Sequence, residues 1–197
     1  MKTNYLIPLT LLLILTACTP IPPSTPTGPL NMLHGQTKPA AVQNWLINGA
    51  IGVKTPEQAG SASFRWRQQG SSNTDLFIFG PLGVGTVHLV GTKQQVTLTD
   101  SKGQTASAQN AETLLNQTLG WKLPVDNLYY WIRALPAPGS KPVIQYDNQH
   151  RVQTLKQQGW TIQYLNYTDV SGVTLPTKIF MSNSDLSVRL VINQWNI

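Results

Sequence analysis

The sequence predicts a mainly β protein with helices (α+β), built as an open, incomplete antiparallel β-barrel of about eleven strands. Three observations predict it. Apolar residues alternate with period two along most of the chain after residue 44, as strands with one buried face require. Glycines and polar pairs interrupt these runs at short intervals, as turns do. One stretch in the middle carries helical spacing instead, between the sixth and seventh strands. Many short consecutive strands form a barrel or sandwich. Two amphipathic helices against one side of a curved sheet leave it half open around an apolar interior.

The elements follow in order. Trp45, Ile47, Gly49, Ile51 and Val53 form the first alternating set. In 63–68, Phe64 and Trp66 share one face while Arg65 and Arg67 take the other. Residues 76–79 are a short apolar run. Segments 86–90 and 95–99 read as a hairpin around Gly91-Thr92-Lys93, and 104–108 as a sixth strand. Residues 111–119 are helix-like, with Leu115 and Leu119 one turn apart and Gly120 placed to end the helix. Pro124 suits the first turn of a second helix. That helix carries Leu128, Trp131, Ile132 and Leu135 at spacings of three and four, and Pro136 and Pro138 stop it. Strands resume at 143–147, 152–158, 160–167, 175–181 and 186–194. Turns are expected at Gln158-Gly159 and Asn183-Ser184-Asp185.

The N-terminus reads as an export signal. Met1-Lys2 supplies the positive start, residues 5–15 an apolar stretch, and Leu15-Thr16-Ala17-Cys18 the small residues before a cut. The apolar stretch is shorter than the roughly 20 residues a spanning helix needs. Leu-x-Ala-Cys resembles the bacterial lipobox, in which the cysteine is lipidated and becomes the first residue of the mature chain. Each buried methylene of an acyl chain adds about 0.8 kcal/mol, and stable anchoring takes more than one chain. Thr19 follows the cysteine, where an Asp would imply inner-membrane retention. This points to the outer membrane, on its periplasmic face. Five prolines fall between Pro20 and Pro29, and no charged residue occurs from 3 to 37. Such a composition makes an extended tether. The domain boundaries are therefore a signal peptide at 1–17, a lipidated and Pro-rich tether at 18–38, and one folded domain at 39–197.

Composition narrows the chemistry. The chain has 197 residues, one cysteine, a net charge of +6 and 11% charged residues, against roughly a quarter in typical domains. One cysteine excludes an intrachain disulfide and a Cys-cluster zinc site. The charge excess is too modest for a nucleic-acid role in an exported protein. His34, His88 and His150 share no metal or catalytic spacing, and there is no HExxH and no nucleophile elbow. The eight acids are scattered. Gly80-Pro81-Leu82-Gly83-Val84-Gly85 lacks the Gly-Lys-Ser/Thr ending of a phosphate loop. The reading is no enzyme, no cofactor and no metal.

What is present is apolar. Six tryptophans, Trp45, Trp66, Trp121, Trp131, Trp160 and Trp195, occupy alternating or helical apolar positions. They serve either as plain core or as walls of a pocket for apolar ligands. Leu82, framed by Pro81 and Gly83, sits at an expected loop tip. Burying one exposed leucine in a bilayer is worth about 1.5–3 kcal/mol, enough for transient insertion and too little for anchoring.

The block 119–132, Leu-Gly-Trp-x-Leu-Pro-Val…Leu…Trp-Ile, resembles the outer-membrane lipoprotein receptor LolB family. So do Gly80-Pro81-Leu82-Gly83 after the Phe-Arg-Trp-Arg-Gln strand, Asp147…Arg151, Gln157-Gln158-Gly159-Trp160, Tyr164…Tyr167, Leu175-Pro176 and Val191-Ile192…Trp195. Two positions depart from the family pattern. Asn48 and Ala50 flank Gly49 where an Arg is frequent, and Ala134 stands where a glycine is common.

The resemblance implies an open barrel lidded by helices around an apolar cavity. It implies a receptor that takes lipoproteins from the periplasmic carrier LolA and places them in the outer membrane. Cys18 is then the lipid anchor and Leu82 the residue that inserts cargo. Candidates for the acyl-chain cavity are Phe64, Trp66, Trp121, Leu128, Trp131, Ile132 and Trp160. Expected partners are cargo acyl chains, LolA and the outer membrane, with the protein a monomer. The alternative is a periplasmic scaffold or peptidoglycan-associated lipoprotein that uses the same sheet as a binding surface without lipid transfer; a lipid-processing hydrolase is a weaker one.

Overall fold

The computed structural model describes residues 38–81 and 85–197. A 3₁₀ turn at Pro39–Ala41 precedes β1 (Asn44–Lys54). Then come β2 (Ala59–Gln69), β3 (Asn73–Phe79), β4 (Val87–Gly91), β5 (Val96–Asp100) and β6 (Thr105–Ala108). Helices α1 (Ala111–Leu119) and α2 (Val125–Trp131) follow. The chain finishes with β7 (Val143–Tyr146), β8 (Val152–Gln157), β9 (Trp160–Val170), β10 (Val173–Ser182) and β11 (Ser187–Asn196).

All eleven strands form one antiparallel sheet in the order β6-β5-β4-β3-β2-β1-β11-β10-β9-β8-β7. Two meanders of sequential strands thus join where the first strand pairs the last, Ile47 opposite Trp195 and Ile51 opposite Leu190. Among the described residues β6 and β7 pair on one side only, so the sheet is open. The alternation expected of β1 is the observed burial, with Trp45, Ile47, Ile51 and Val53 inward. In β2, Phe64 and Trp66 point inward, and Arg65 and Arg67 outward.

Where β1 meets β11 the register shifts between Asn48 and Gly49. A Cβ on Gly49 would fall 1.9 Å from the Val191 carbonyl oxygen. Only glycine allows this approach of two central strands.

Helix α1 begins at Asn110, whose side chain accepts the Thr113 N–H at 2.9 Å, an N-cap that serves an otherwise unpaired donor. It ends at Gly120 in the left-handed region, φ 70°. Ala111, Leu114 and Leu115 are its buried residues, and it packs against β5 and β6.

Helix α2 is shorter than its apolar spacing predicts. Pro124 is the cap rather than the first helical residue, Ile132 closes the helix, and Leu135 lies beyond it. Ala134 turns the chain at φ 58°, and its N–H donates to the Trp131 carbonyl at 2.9 Å. Pro136 next in line also disfavours helical backbone at Leu135.

Candidate functional site

The space between the sheet and the helices is a single apolar cluster. All seven residues expected to face an acyl chain lie in it: Phe64, Trp66, Trp121, Leu128, Trp131, Ile132 and Trp160. The six tryptophans are all buried. Trp45 of β1 stacks on Tyr129 of α2, with centroids 5.0 Å apart and planes at 24°. Trp66 and Trp195 meet Trp45 edge-on at 6.1 and 6.2 Å. Trp131 tilts against Trp160 at 6.0 Å. Aromatic walls of this kind add geometric preference to simple area burial.

Among the described residues the fully buried side-chain polar atoms of this interior find partners, with one exception. Trp66 Nε1 donates to Gln68 Oε1 and Thr74 Oγ1, each at 2.9 Å. Trp195 Nε1 donates to the Pro176 carbonyl at 2.8 Å. Trp131 Nε1 donates to Gln157 Oε1 at 3.1 Å. Gln157 also accepts the Ala137 N–H at 2.8 Å and donates to the carbonyls of Ala137 and Ser140 at 2.7 and 2.8 Å. The Tyr164 hydroxyl donates to the Trp131 carbonyl at 2.7 Å. Burial, and after it the neighbouring Tyr167, push the Tyr164 phenol well above its ordinary pKa, so it stays a donor. The exception is Trp45 Nε1, which is buried without a partner.

One charge sits in the core. Arg133 is 2% exposed. Its Nε donates to the Tyr129 carbonyl at 3.0 Å and its Nη1 to the Val42 carbonyl at 2.5 Å. The guanidinium lies 4.1 Å from the ring centre of Tyr129, 5.0 Å from Trp45 and 5.8 Å from Tyr130. Backbone carbonyls and ring faces thus replace a carboxylate partner. Burial pushes its pKa down, while Tyr129 and Tyr130 pull it back up.

The helices have a polar outer side. A hollow of about 520 Å³ lies along α1 and the start of α2, lined by Glu112, Thr113, Gln117, Lys122, Asp126 and Asn127 among others. A smaller crevice reaches Trp66, Gln68 and Tyr129 from the ends of β2, β3 and β4.

Pro81 is exposed just past the end of β3. Cys18, Leu82 and Gly83 lie outside the described residues, as do the expected signal peptide, most of the tether and His34. His88 sits on the outer face, 2.9 Å from Asp75 Oδ1 and stacked 3.7 Å from Phe77. His150 is at a turn, φ 59°. Among the described residues no group of three His, Cys, Asp or Glu converges on a metal position, and no helix is long and apolar enough to cross a membrane.

Residues 43–195 match the family model described as outer membrane lipoprotein LolB. The chain belongs to the LolB family. The outer-membrane lipoprotein LolB of Pseudomonas fluorescens is 37% identical over 178 residues, covering 85% of this chain and 86% of its own length. That of Francisella tularensis is 36% identical, covering 100% and 95%. Two solved structures share the fold. A LolA superfamily protein from Nitrosomonas europaea superposes with a TM-score of 0.53 at 14% identity, over 79% of this chain and 86% of that one. A domain of a putative outer membrane lipoprotein-sorting protein from Vibrio parahaemolyticus gives 0.51 at 9% identity, over 78% and 84%.

Sequence reading gave no role to Tyr129, Arg133 or Gln157, which organise this interior. The signal for Arg133 was visible as a lone cation in the apolar run Trp131-Ile132-Arg133-Ala134-Leu135. Gln157 stood in the family-like block Gln157-Gln158-Gly159-Trp160 at the end of a strand, with nothing to mark it as buried.

Proposed function

We propose that this protein is an outer-membrane receptor that accepts lipoproteins from the carrier LolA by binding their acyl chains, and then inserts them into the outer membrane. The observation that carries the reading is the continuous apolar face of an open sheet, covered by two short helices, in a member of the LolB family. Acyl chains that displace α2 from this face keep their methylenes out of water, worth roughly 25 cal/mol per Å². Phe64, Trp66, Trp121, Leu128, Trp131, Ile132 and Trp160 are the proposed chain contacts. Transfer runs down a gradient of affinity from carrier to receptor to bilayer, and no cofactor or hydrolysis enters.

Cys18 carries the lipid anchor that holds the protein on the periplasmic face, with residues 18–38 as tether and 39–197 as the binding domain. Leu82, held between Pro81 and Gly83, enters the bilayer during delivery. The protein acts as a monomer and takes no nucleic acid.

The test is to incubate the unacylated Cys18→Ser chain with carrier-bound lipoprotein and follow the cargo. Transfer to this protein is expected; cargo that stays on the carrier overturns the reading in favour of a scaffold. In the anchored protein, Leu82→Glu is expected to accept cargo normally and deliver it to membranes at a small fraction of the wild-type rate. Unimpaired delivery removes Leu82 from the mechanism.

A further inference from the structure

Among the described residues one fully buried side-chain donor has no partner. Trp45 is 3% exposed, and its indole N–H has no partner. Buried donors without partners are rare in folded proteins, and leaving one unmade costs about 1–3 kcal/mol. The fold is able to serve an indole here. Trp66, Trp131 and Trp195 are each provided with an acceptor, from Gln68 and Thr74, from Gln157, and from the Pro176 carbonyl.

The surroundings of Trp45 say what is missing. Its ring is covered by Tyr129, which belongs to the seven-residue helix α2. Its other neighbours are the edges of Trp66 and Trp195 and the guanidinium of Arg133. A positive group beside a free donor excludes a ligand donor or cation and favours an acceptor. Two Arg133 nitrogens already donate to the carbonyls of Tyr129 and Val42, and its planar face lies over three aromatic rings. Beside it, the Trp45 indole N–H is a fully buried donor without a partner, and a neutral N–H is matched by a neutral carbonyl. An apolar chain alone gives the N–H nothing.

We infer that Trp45 is a specificity residue whose indole N–H binds the carbonyl of an ester- or amide-linked acyl group between β1 and α2. The inference rests on the acyl-binding reading above and adds the polar end of the ligand to it. A donor reserved in this way distinguishes acylated cargo from plain hydrocarbon, which burial of area does not.

The experiment uses the full-length mature chain carrying Cys18→Ser and two synthetic peptides. One bears a dipalmitoylglyceryl cysteine, with ester carbonyls. The other is its dialkyl ether analogue, of equal chain length without them. Calorimetric titration is expected to show the wild type favouring the ester by roughly 5- to 10-fold, the yield of one net hydrogen bond. Trp45→Phe is expected to bring that ratio to near one, the ester-to-ether ratio being the readout because loss of the larger ring lowers stability and weakens both ligands alike. Benzothienylalanine at position 45, which keeps the indole shape and replaces N–H by sulfur, is expected to do the same if the Phe variant folds poorly. Palmitate provides a third arm: a preference for the free carboxylate over the ester overturns the assignment to a neutral carbonyl. An unchanged ester-to-ether ratio in the N–H-less variants overturns this inference and leaves the receptor reading standing. Failure of the wild type to bind either peptide overturns both.

Discussion

The Tyr164 hydroxyl on β9 donates to the Trp131 carbonyl at the end of α2, at 2.7 Å. The bond ties the second helix to the half of the sheet that follows it in sequence. The same carbonyl accepts the Ala134 N–H at 2.9 Å, so removing the tyrosine hydroxyl leaves it one partner. Tyr164→Phe is therefore expected to cost about 1 kcal/mol, the value of one net hydrogen bond. Urea unfolding should show a lower midpoint with an unchanged slope. In cargo-transfer assays the variant should accept acyl chains at least as fast as wild type if they enter by the proposed displacement of α2, which is then held less firmly.

Gln157 holds the segment after α2 through four hydrogen bonds, to the Trp131 indole, the Ala137 N–H, and the Ala137 and Ser140 carbonyls. Gln157→Leu fills the same volume and serves none of them. Each buried group left unpaired costs about 1–3 kcal/mol, so the loss should exceed that of Tyr164→Phe by at least twofold. Thermal unfolding of the two variants side by side measures the ratio. An equal loss would show that the backbone at 137–140 re-pairs without the side chain.

The strand pattern was largely legible because period-two alternation and one-sided burial have the same cause. Residues on the inner faces of β1 and β2 were identifiable one by one, and the eleven strands and their helical insertion are where the alternation places them. The end of α2 was not legible. Apolar residues at 128, 131, 132 and 135 continue the helical spacing, but the backbone turns left-handed at Ala134, and spacing does not report φ. The polar organisation of the interior was hidden for a different reason. Gln157 meets its partners across 17 to 26 residues of sequence and Arg133 meets Val42 across 91, and only the fold brings those segments together.

Ala134 offers a test of that left-handed turn. It sits at φ 58°, a conformation that costs a residue with a Cβ about 1–2 kcal/mol. Glycine adopts it freely. Ala134→Gly is expected to stabilise the protein by about 1 kcal/mol after allowance for the greater freedom of the unfolded chain. For a domain of this size that raises Tm by about 2–4 °C, measurable by scanning calorimetry. A lower Tm would mean that the buried methyl of Ala134 contributes more to packing than the backbone strain costs.

Asp147 sets the pH dependence of the β7–β8 turn. Its Oδ1 accepts the N–H groups of Gln149 and Arg151, both at 2.9 Å, and its Oδ2 accepts Arg151 Nε at 2.8 Å. Burial pushes the carboxyl pKa up, but the Arg151 side chain and these backbone donors outweigh it and hold the pKa below its ordinary value. A folded pKa below the unfolded one, about 3.9, means the folded state holds the proton less tightly. The stabilisation is then fully present above the unfolded pKa and is lost as pH falls through the folded one. Asp147→Asn should be less stable than wild type at pH 7, and the gap should narrow steadily below about pH 4. Thermal midpoints of both proteins from pH 7 to pH 2.5 measure it. A gap that stays constant across this range would show that the turn depends on the shape of the side chain and not on its charge.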